Sequence, residues 1–225
     1  MFIMVKLFLF SIFIVLTTFL IYAYNQKTMA NETSSASSEA KKPTSEEIMG
    51  QFIKTFPELK PADFPPVKSE EDALEWLMTW QSNYDVSNKY IARSDYKDWW
   101  ALIEKSVNNL NIVKSKKLVF EPTLNKMYAK IEKLEEDEDL TLDIEDIYTA
   151  YYENVADEIL KQNYDVIGIE NGENAEFILA KPNNPELPKL AEMLKKTSNE
   201  SQISLYQVKF YPNKYQFKFT VDKLK

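Results

Sequence analysis

The distribution of apolar and polar residues divides the chain into three parts. Residues 7–24 carry no charge, whereas residues 25–44 consist mainly of Ser, Thr, Ala, Lys and Glu and contain almost nothing that could enter a core. From residue 45 onward, apolar residues recur at the spacings of helices and strands. We therefore predict a membrane anchor or signal peptide over residues 1–24, a flexible linker over 25–44 and a globular domain over 45–225.

Helical periodicity in the third part predicts about five amphipathic helices, in which apolar residues recur every three or four positions. The clearest follow Ser69 and Asp143, two residues suited to capping a helix N-terminus. A shorter helix is predicted after Ser45, which is also expected to be a cap, and ends at Pro57. Other stretches with helical spacing lie near 97–110, near 122–134 and after Asn184-Pro185.

Alternating apolar and polar residues predict two antiparallel β-hairpins. The strongest turn signal is Asn171-Gly172-Glu173-Asn174, and Pro212-Asn213 marks the second turn. The last two strands have one Lys-rich face, which predicts a sheet with one solvated side. We therefore predict a single α+β domain. Its strands are expected over 165–170, 175–180, 206–210 and 215–221, and residues 118–120 are a further short β-prone run.

The composition excludes several classes of chemistry. The chain has 225 residues, no Cys, no His and 3 Gly. Without Cys and His there is no Ser-His-Asp triad, no cysteine nucleophile and no thiolate or imidazole zinc site. Three scattered glycines cannot form a phosphate-binding loop. We therefore expect no cofactor, and the composition favours a protein that is not an enzyme.

The negative charge of the chain is concentrated in one segment. The net charge of −8 is the sum of +2 in residues 1–30, −11 in residues 131–159 and +1 in the remainder. Arg93 is the single arginine. Because nucleic-acid sites favour the guanidinium group, we expect no nucleic-acid partner.

The uncharged N-terminal run has two interpretations. As a helix, residues 7–24 nearly span a bilayer core of about 30 Å, and Tyr22 and Tyr24 lie where interfacial aromatics belong. The alternative is a signal peptide cut before Asn31. Positive charge at Lys6 favours export of the rest of the chain. The domain is thus expected on the extracytoplasmic side, in a bacterium either anchored to the inner membrane or released into the periplasm.

A run of five acids between two predicted helices is the first candidate site. A solvated charge run, a docking surface for a basic protein partner and a cation site remain open. An EF-hand starting at Asp137 is excluded, because its sixth position is Leu142 and its twelfth is Tyr148. The residues expected to bind a partner are Glu135, Glu136, Asp137, Glu138 and Asp139.

The second candidate site lies at the start of a predicted helix. Asp95, Asp98, Trp99 and Trp100 could bind a carbohydrate through an exposed indole, or supply a carboxylate pair for glycosidase-like hydrolysis. Adjacent residues on a helix point about 100° apart, so the two Trp side chains are not both expected to be buried. The alternative is that aromatic residues at helical spacing belong to the core.

Part of the chain resembles a bacterial domain of unknown function, number 6630. The resemblance covers about residues 90–197 and is carried by Asp95-Tyr-Lys-Asp-Trp-Trp100 with a following helix, and by the hairpin segment YDVIGIENGENAEFILAKP between two helices. The family often has a Ser-Asp-Ser-Tyr-like stretch across the hairpin turn, whereas residues 171–176 here lack the Tyr. The resemblance implies an α+β fold and, because the family has no assigned activity, no chemistry.

Three functions fit the sequence. The first is a membrane-tethered or secreted extracytoplasmic protein-interaction module, which the anchor, the linker and the acidic run indicate. The second is an envelope protein that binds a carbohydrate or a cation. The third is a glycosidase-like enzyme that uses carboxylates alone.

Overall fold

The computed structural model describes most of the predicted globular domain. It covers residues 41–68, 72–95, 99–113, 117–135, 143–171, 174–197 and 206–216, with the backbone alone at a few of these positions. The chain groups into two units, Met1–Lys41 and Lys42–Lys225, so that all but one of the described residues belong to the second. The predicted anchor over 1–24 lies outside the described residues, as does all of the predicted linker except residues 41–44.

The described residues form six α-helices and three short 3₁₀ helices. The α-helices are α1 (Ser45–Thr55), α2 (Ala73–Asn83), α3 (Trp99–Asn108), α4 (Glu121–Glu135), α5 (Ile144–Lys161) and α6 (Leu187–Thr197). The 3₁₀ helices cover Pro61–Asp63, Asp85–Lys89 and Asn111–Val113.

Four antiparallel strands form one sheet. They are β1 (Ile91–Asp95), β2 (Asp165–Asn171), β3 (Asn174–Ala180) and β4 (Tyr206–Tyr211), in the spatial order β1-β3-β2-β4. The mixture of helices and antiparallel sheet confirms the predicted α+β class. The predicted hairpin is also confirmed as β2 and β3, although its turn residues 172–173 lie outside the described residues.

Helices cover both faces of the sheet. Because successive strand residues point to opposite faces, Ala92, Val166 and Phe177 pack into a core with α3, α4 and α5. Their neighbours Ile91, Ile167 and Ile178 belong to a second core with α1, α2 and α6. We call the two sides the α3–α5 face and the α1–α2–α6 face.

The prediction of a sheet with one solvated side is therefore wrong. In β4, Val208 and Phe210 pack on the α1–α2–α6 core. On the other face, the Lys209 ammonium lies 5.7 Å from the centre of the Tyr152 ring. A Lys side chain can lie along an apolar surface while its charge reaches water, so a Lys-rich strand face does not require an uncovered sheet. Of the predicted strand 215–221, residues 215–216 are not in a strand and the others lie outside the described residues.

The predicted β-prone run at residues 118–120 is not a strand. Leu118 and Phe120 are buried, and their backbone amides donate to side chains of α3. The acceptors are Asn108 Oδ1 at 2.8 Å and Glu104 Oε1 at 2.6 Å. These side chains replace the hydrogen bonds that a neighbouring strand would have supplied.

Two helix starts differ from the prediction. The cap of α1 is Thr44, whose hydroxyl accepts from the Glu47 amide at 3.2 Å while the Glu47 carboxylate accepts from the Thr44 amide at 2.8 Å. Ser45, the predicted cap, is the first helical residue and is buried. Asp72 caps α2 by accepting from the Leu74 amide at 2.9 Å, and the predicted cap Ser69 lies outside the described residues.

The lower end of the sheet, where β2 begins, is fixed by a buried carboxylate. Asp165 accepts from the backbone amide of Asn183 at 2.8 Å and from that of Asn213 at 2.6 Å. The turn predicted at Pro212-Asn213 is confirmed, since the Tyr215 amide donates to the Pro212 carbonyl at 2.7 Å. Asp165 therefore joins β2 to the loops that precede α6 and follow β4.

No helix in the described part of the chain is long and apolar enough to cross a bilayer.

Candidate functional site

The structure leaves both predicted sites incompletely described. Asp95 ends β1, Trp99 and Trp100 begin α3, and Glu135 ends α4, but the structure describes none of these four side chains. Asp98 and the acids Glu136, Asp137, Glu138 and Asp139 lie outside the described residues. The binding roles of all nine residues stay predictions. Within the described ranges, no group of three or more acidic side chains is arranged to hold a metal ion.

A cleft of about 370 Å³ opens at the lower end of the sheet. It lies where β1 begins and β3 ends, and thus at the opposite end of β1 from Asp95. Residues of both cores contribute to its wall. We call it the lower cleft, and it is lined by Thr55, Phe56, Pro57, Glu58, Lys89, Tyr90, Leu110, Asn111, Ile112, Leu179, Ala180, Lys181 and Asn184.

The end of α1 forms one wall of the lower cleft. Pro57 follows the last turn, and proline disfavours helical backbone in the residue before it. Phe56 closes the helix by donating its amide to the Phe52 carbonyl at 2.8 Å, and its ring lies 5.1 Å from that of Tyr90. Asn184 donates to the Thr55 carbonyl at 3.2 Å, so that the loop before α6 is tied to the end of α1.

Tyr90 and Glu58 form the polar centre of the lower cleft. Burial raises the pKa of the Tyr90 hydroxyl, a hydrogen bond with Asn111 lowers it, and the negative charge of Glu58 raises it again. The net shift is upward, so the hydroxyl is protonated at neutral pH. The other charged groups of the wall are the ammonium groups of Lys89 and Lys181.

An open groove of about 870 Å³ runs along α3 beside the cleft. Lys89, in the cleft, donates to Asn109, in the groove, at 2.7 Å. Much of the groove's polar surface is already bound within the protein: the Glu104 carboxylate accepts from two backbone amides, and Asn108 both donates to and accepts from Leu118. The enclosed cleft is therefore the better ligand site.

An ion pair lies on the α1–α2–α6 face. Arg93 Nε lies 3.3 Å from Glu176 Oε1, and Gln81 donates to the other carboxylate oxygen at 2.7 Å. Burial raises the pKa of Glu176, while Arg93 and Gln81 oppose the shift. Arg93 and Glu176 are directly opposed in the β1–β3 register, so this pair fixes the alignment of the two strands.

A second polar cluster lies on the α3–α5 face around Tyr152. Burial raises the pKa of the Glu153 carboxyl, Lys209 lowers it, and Glu170 raises it. Lys209 also lies 3.9 Å from Glu170 Oε2. None of these residues lines the lower cleft or the groove. We interpret the cluster as part of the α5–sheet interface.

Comparisons with protein-family models, with curated proteins and with solved structures find no match. The resemblance to domain 6630 therefore stays a prediction, and the function must be argued from the geometry. Sequence reasoning missed the lower cleft because its wall comes from four separate segments. The available signals were Pro57 and Asn184-Pro185, which the sequence pattern alone uses only to mark the end of one helix and the start of another.

Proposed function

We propose that this protein is a non-catalytic, extracytoplasmic binding protein that holds a small ligand in the lower cleft. The observation that carries the proposal is the cleft itself, whose volume is about 370 Å³. Ligand sites in proteins are typically concave, about 300–1,000 Å³ in volume, mainly apolar and supplied with a few polar groups. The lower cleft lies within this range of volume, and its wall combines seven apolar or aromatic residues with six polar or charged ones.

The polar groups of the cleft favour binding over catalysis. Among the described residues of its wall, the single carboxylate is that of Glu58, whose negative charge raises the pKa of the Tyr90 hydroxyl. Its single hydroxyl from Ser or Thr, that of Thr55, donates to the Gln51 carbonyl at 2.8 Å rather than to a base. A catalytic nucleophile needs a base within hydrogen-bonding distance, and the cleft wall has no such pair.

We further propose that residues 7–24 hold the domain at the membrane, on its extracytoplasmic side. The linker predicted for residues 25–44 must end before Thr44, which caps α1. Its residues 25–41 would give the domain reach, because seventeen extended residues span at most about 60 Å. Such a tether suits a protein that captures a ligand near the bilayer surface.

The ligand proposal is tested by blocking the cleft. Lys181 is exposed at its wall, so that Lys181→Trp should fill space without disturbing the core; Lys126→Trp, on the exposed side of α4, is the matched control. We expect compounds from a fragment library that raise the Tm of the full chain in detergent to lose their effect in the Lys181→Trp variant alone. Ligands that stabilise both variants equally would contradict the proposal.

A second candidate function rests on the charge of residues 131–159, which is −11. We propose that the acidic run between α4 and α5 attracts a basic protein partner, because the attraction between opposite charges extends over roughly 8 Å at physiological salt. Replacing the five acids of residues 135–139 by Gln and Asn should leave the Tm equal or higher, and should slow association with lysozyme, used as a basic probe. A large fall in Tm, reversed by calcium in the parent alone, would instead indicate a metal site.

A further inference from the structure

We infer that the lower cleft binds a small organic anion, with the acidic group of the ligand at Lys89 and Lys181 and its apolar body on Pro57 and Ile112. The inference rests on the function proposed above and specifies the ligand. It follows from three properties of the cleft wall, namely its unpaired positive charge, its net charge of +1 and its apolar floor.

The described residues do not neutralise the positive charge of the wall. Lys89 and Lys181 are exposed, and neither ammonium group pairs with an acid in the part of the chain that the structure describes. Lys89 donates one hydrogen bond, to Asn109 Oδ1 at 2.7 Å. An ammonium group has three protons, so Lys89 is held in place with donors to spare.

Glu58 does not cancel this charge. Two ammonium groups and one carboxylate give the wall a net charge of +1. Because the two ammonium groups outnumber the one carboxylate, an anion is attracted to the wall.

The remaining wall is apolar and limits the size of the ligand. Phe56, Leu110 and Leu179 line the cleft but are almost fully buried, with exposed fractions of 7%, 1% and 1%, so the apolar surface open to a ligand comes from Pro57 and Ile112. The volume of about 370 Å³ equals that of roughly a dozen water molecules at about 30 Å³ each. A single ring or short aliphatic chain with one acidic group fits this space.

Matched probes test the charge of the ligand. We would titrate the full chain in nanodiscs with 4-phenylbutyrate, with its neutral amide and with phenyl phosphate, and follow binding by saturation-transfer NMR. The carboxylate should bind at least about tenfold more tightly than the amide, because charge-assisted hydrogen bonds are about twice as strong as neutral ones. Comparing phenyl phosphate with the carboxylate shows which acidic group the cleft prefers.

Lysine variants assign that preference to the cleft. In a Lys89→Gln, Lys181→Gln double variant, the carboxylate and the amide should bind within about threefold of each other. Lys126→Gln, on α4, should retain the preference. Both cleft lysines are exposed, so the double variant should fold as the parent does, which its circular dichroism and Tm would verify.

The outcomes separate this inference from the proposed function. If the amide binds as tightly as the carboxylate, and Lys181→Trp removes both, the cleft is a ligand site but the anion inference is wrong. If inorganic phosphate binds as tightly as phenyl phosphate, the apolar floor has no role and the inference also fails. If none of the three probes binds, and if no library compound loses its effect on the Tm in the Lys181→Trp variant, the proposed function itself is wrong.

Discussion

Gly168 makes room for Tyr152 at the centre of the sheet. A Cβ at position 168 would overlap the Tyr152 hydroxyl, which lies where the side chain of any other residue would be. The Tyr152 ring instead stacks on Phe177, 5.5 Å away, and lies under Lys209. Phe177 and Lys209 are the two cross-strand neighbours of Gly168, so a single aromatic ring covers the gap that the glycine leaves.

Gly168→Ala should therefore destabilise the protein, by about 1–3 kcal/mol, since overpacking forces neighbouring side chains to move. The matched control is Gly50→Ala in α1, where an added Cβ meets nothing within 4 Å. That change should stabilise the protein by about 0.5–1 kcal/mol, because alanine favours helix more than glycine does. Urea denaturation measures both. Equal effects of the same sign would contradict the packing of Tyr152 on Gly168.

The cap of α1 gives a second pair of single-residue variants. Thr44→Ala removes the acceptor of the Glu47 amide and should cost about 1 kcal/mol of unfolding free energy. Ser45→Ala should be neutral or stabilising, because the Ser45 hydroxyl is buried without a hydrogen-bond partner. If chemical denaturation showed the reverse order, Ser45 would be the cap, as the sequence analysis predicted.

Information on this cap was present in the sequence. Thr44 is followed three residues later by Glu47, which is the capping-box pattern, whereas Ser45 is followed by Ile48. The prediction placed the start of the helix one residue too late, because it chose the wrong one of two adjacent cap residues. The spacing of the acidic partner, rather than the cap residue type alone, distinguishes them.

At the scale of elements, the contact of α5 with the sheet should respond to pH. Burial raises the pKa of Glu153, Glu170 adds to the shift, and Lys209 opposes it. A carboxyl whose pKa is higher in the folded than in the unfolded protein opposes folding once it is ionised. This cost is absent below the unfolded pKa, increases as the pH rises through the folded pKa and is constant above it.

Glu153→Gln should accordingly raise the Tm at pH 7 and leave it unchanged at about pH 3.5, where the parent carboxyl is protonated in both states. Glu132→Gln, at an exposed position on α4, is the control and should show no such difference. Thermal melts across this pH range supply the measurement. A fall in Tm at pH 7 would mean that the ionised carboxylate stabilises the interface.

Periodicity predicted most elements but missed β1. The helices now numbered α3, α5 and α6 and the β2–β3 hairpin follow from apolar residues at regular spacing. In β1, the residues Arg93 and Ser94 are polar, and they are held by Glu176 and by the Tyr151 hydroxyl, 2.6 Å from Ser94 Oγ. Partners so distant in the sequence cannot be inferred from a local pattern. The lower cleft was missed for the same reason.

At the scale of the whole molecule, we expect the N-terminal run to determine where the protein resides. We expect the mature chain to stay in the membrane fraction after alkaline washing, since residues 7–24 form an uncharged stretch longer than a usual signal core. A variant beginning at Lys42 should be released from the membrane. Mature protein whose N-terminal sequence began at Asn31 would refute the anchor and identify a signal peptide.

The α1–α2–α6 face unites helices that are synthesised far apart in time. About one hundred residues separate the end of α2 from the start of α6, which a ribosome adds in about 5–20 s at about 5–20 residues per second. The strands that bury Phe52 and Trp76 are largely synthesised within that interval. The hydrogen bond that Gln51 donates to Glu186, at 3.0 Å, can form only after Glu186 has been added. A nascent chain therefore exposes these aromatics until the hairpin and α6 emerge, and transiently exposed apolar surface favours aggregation.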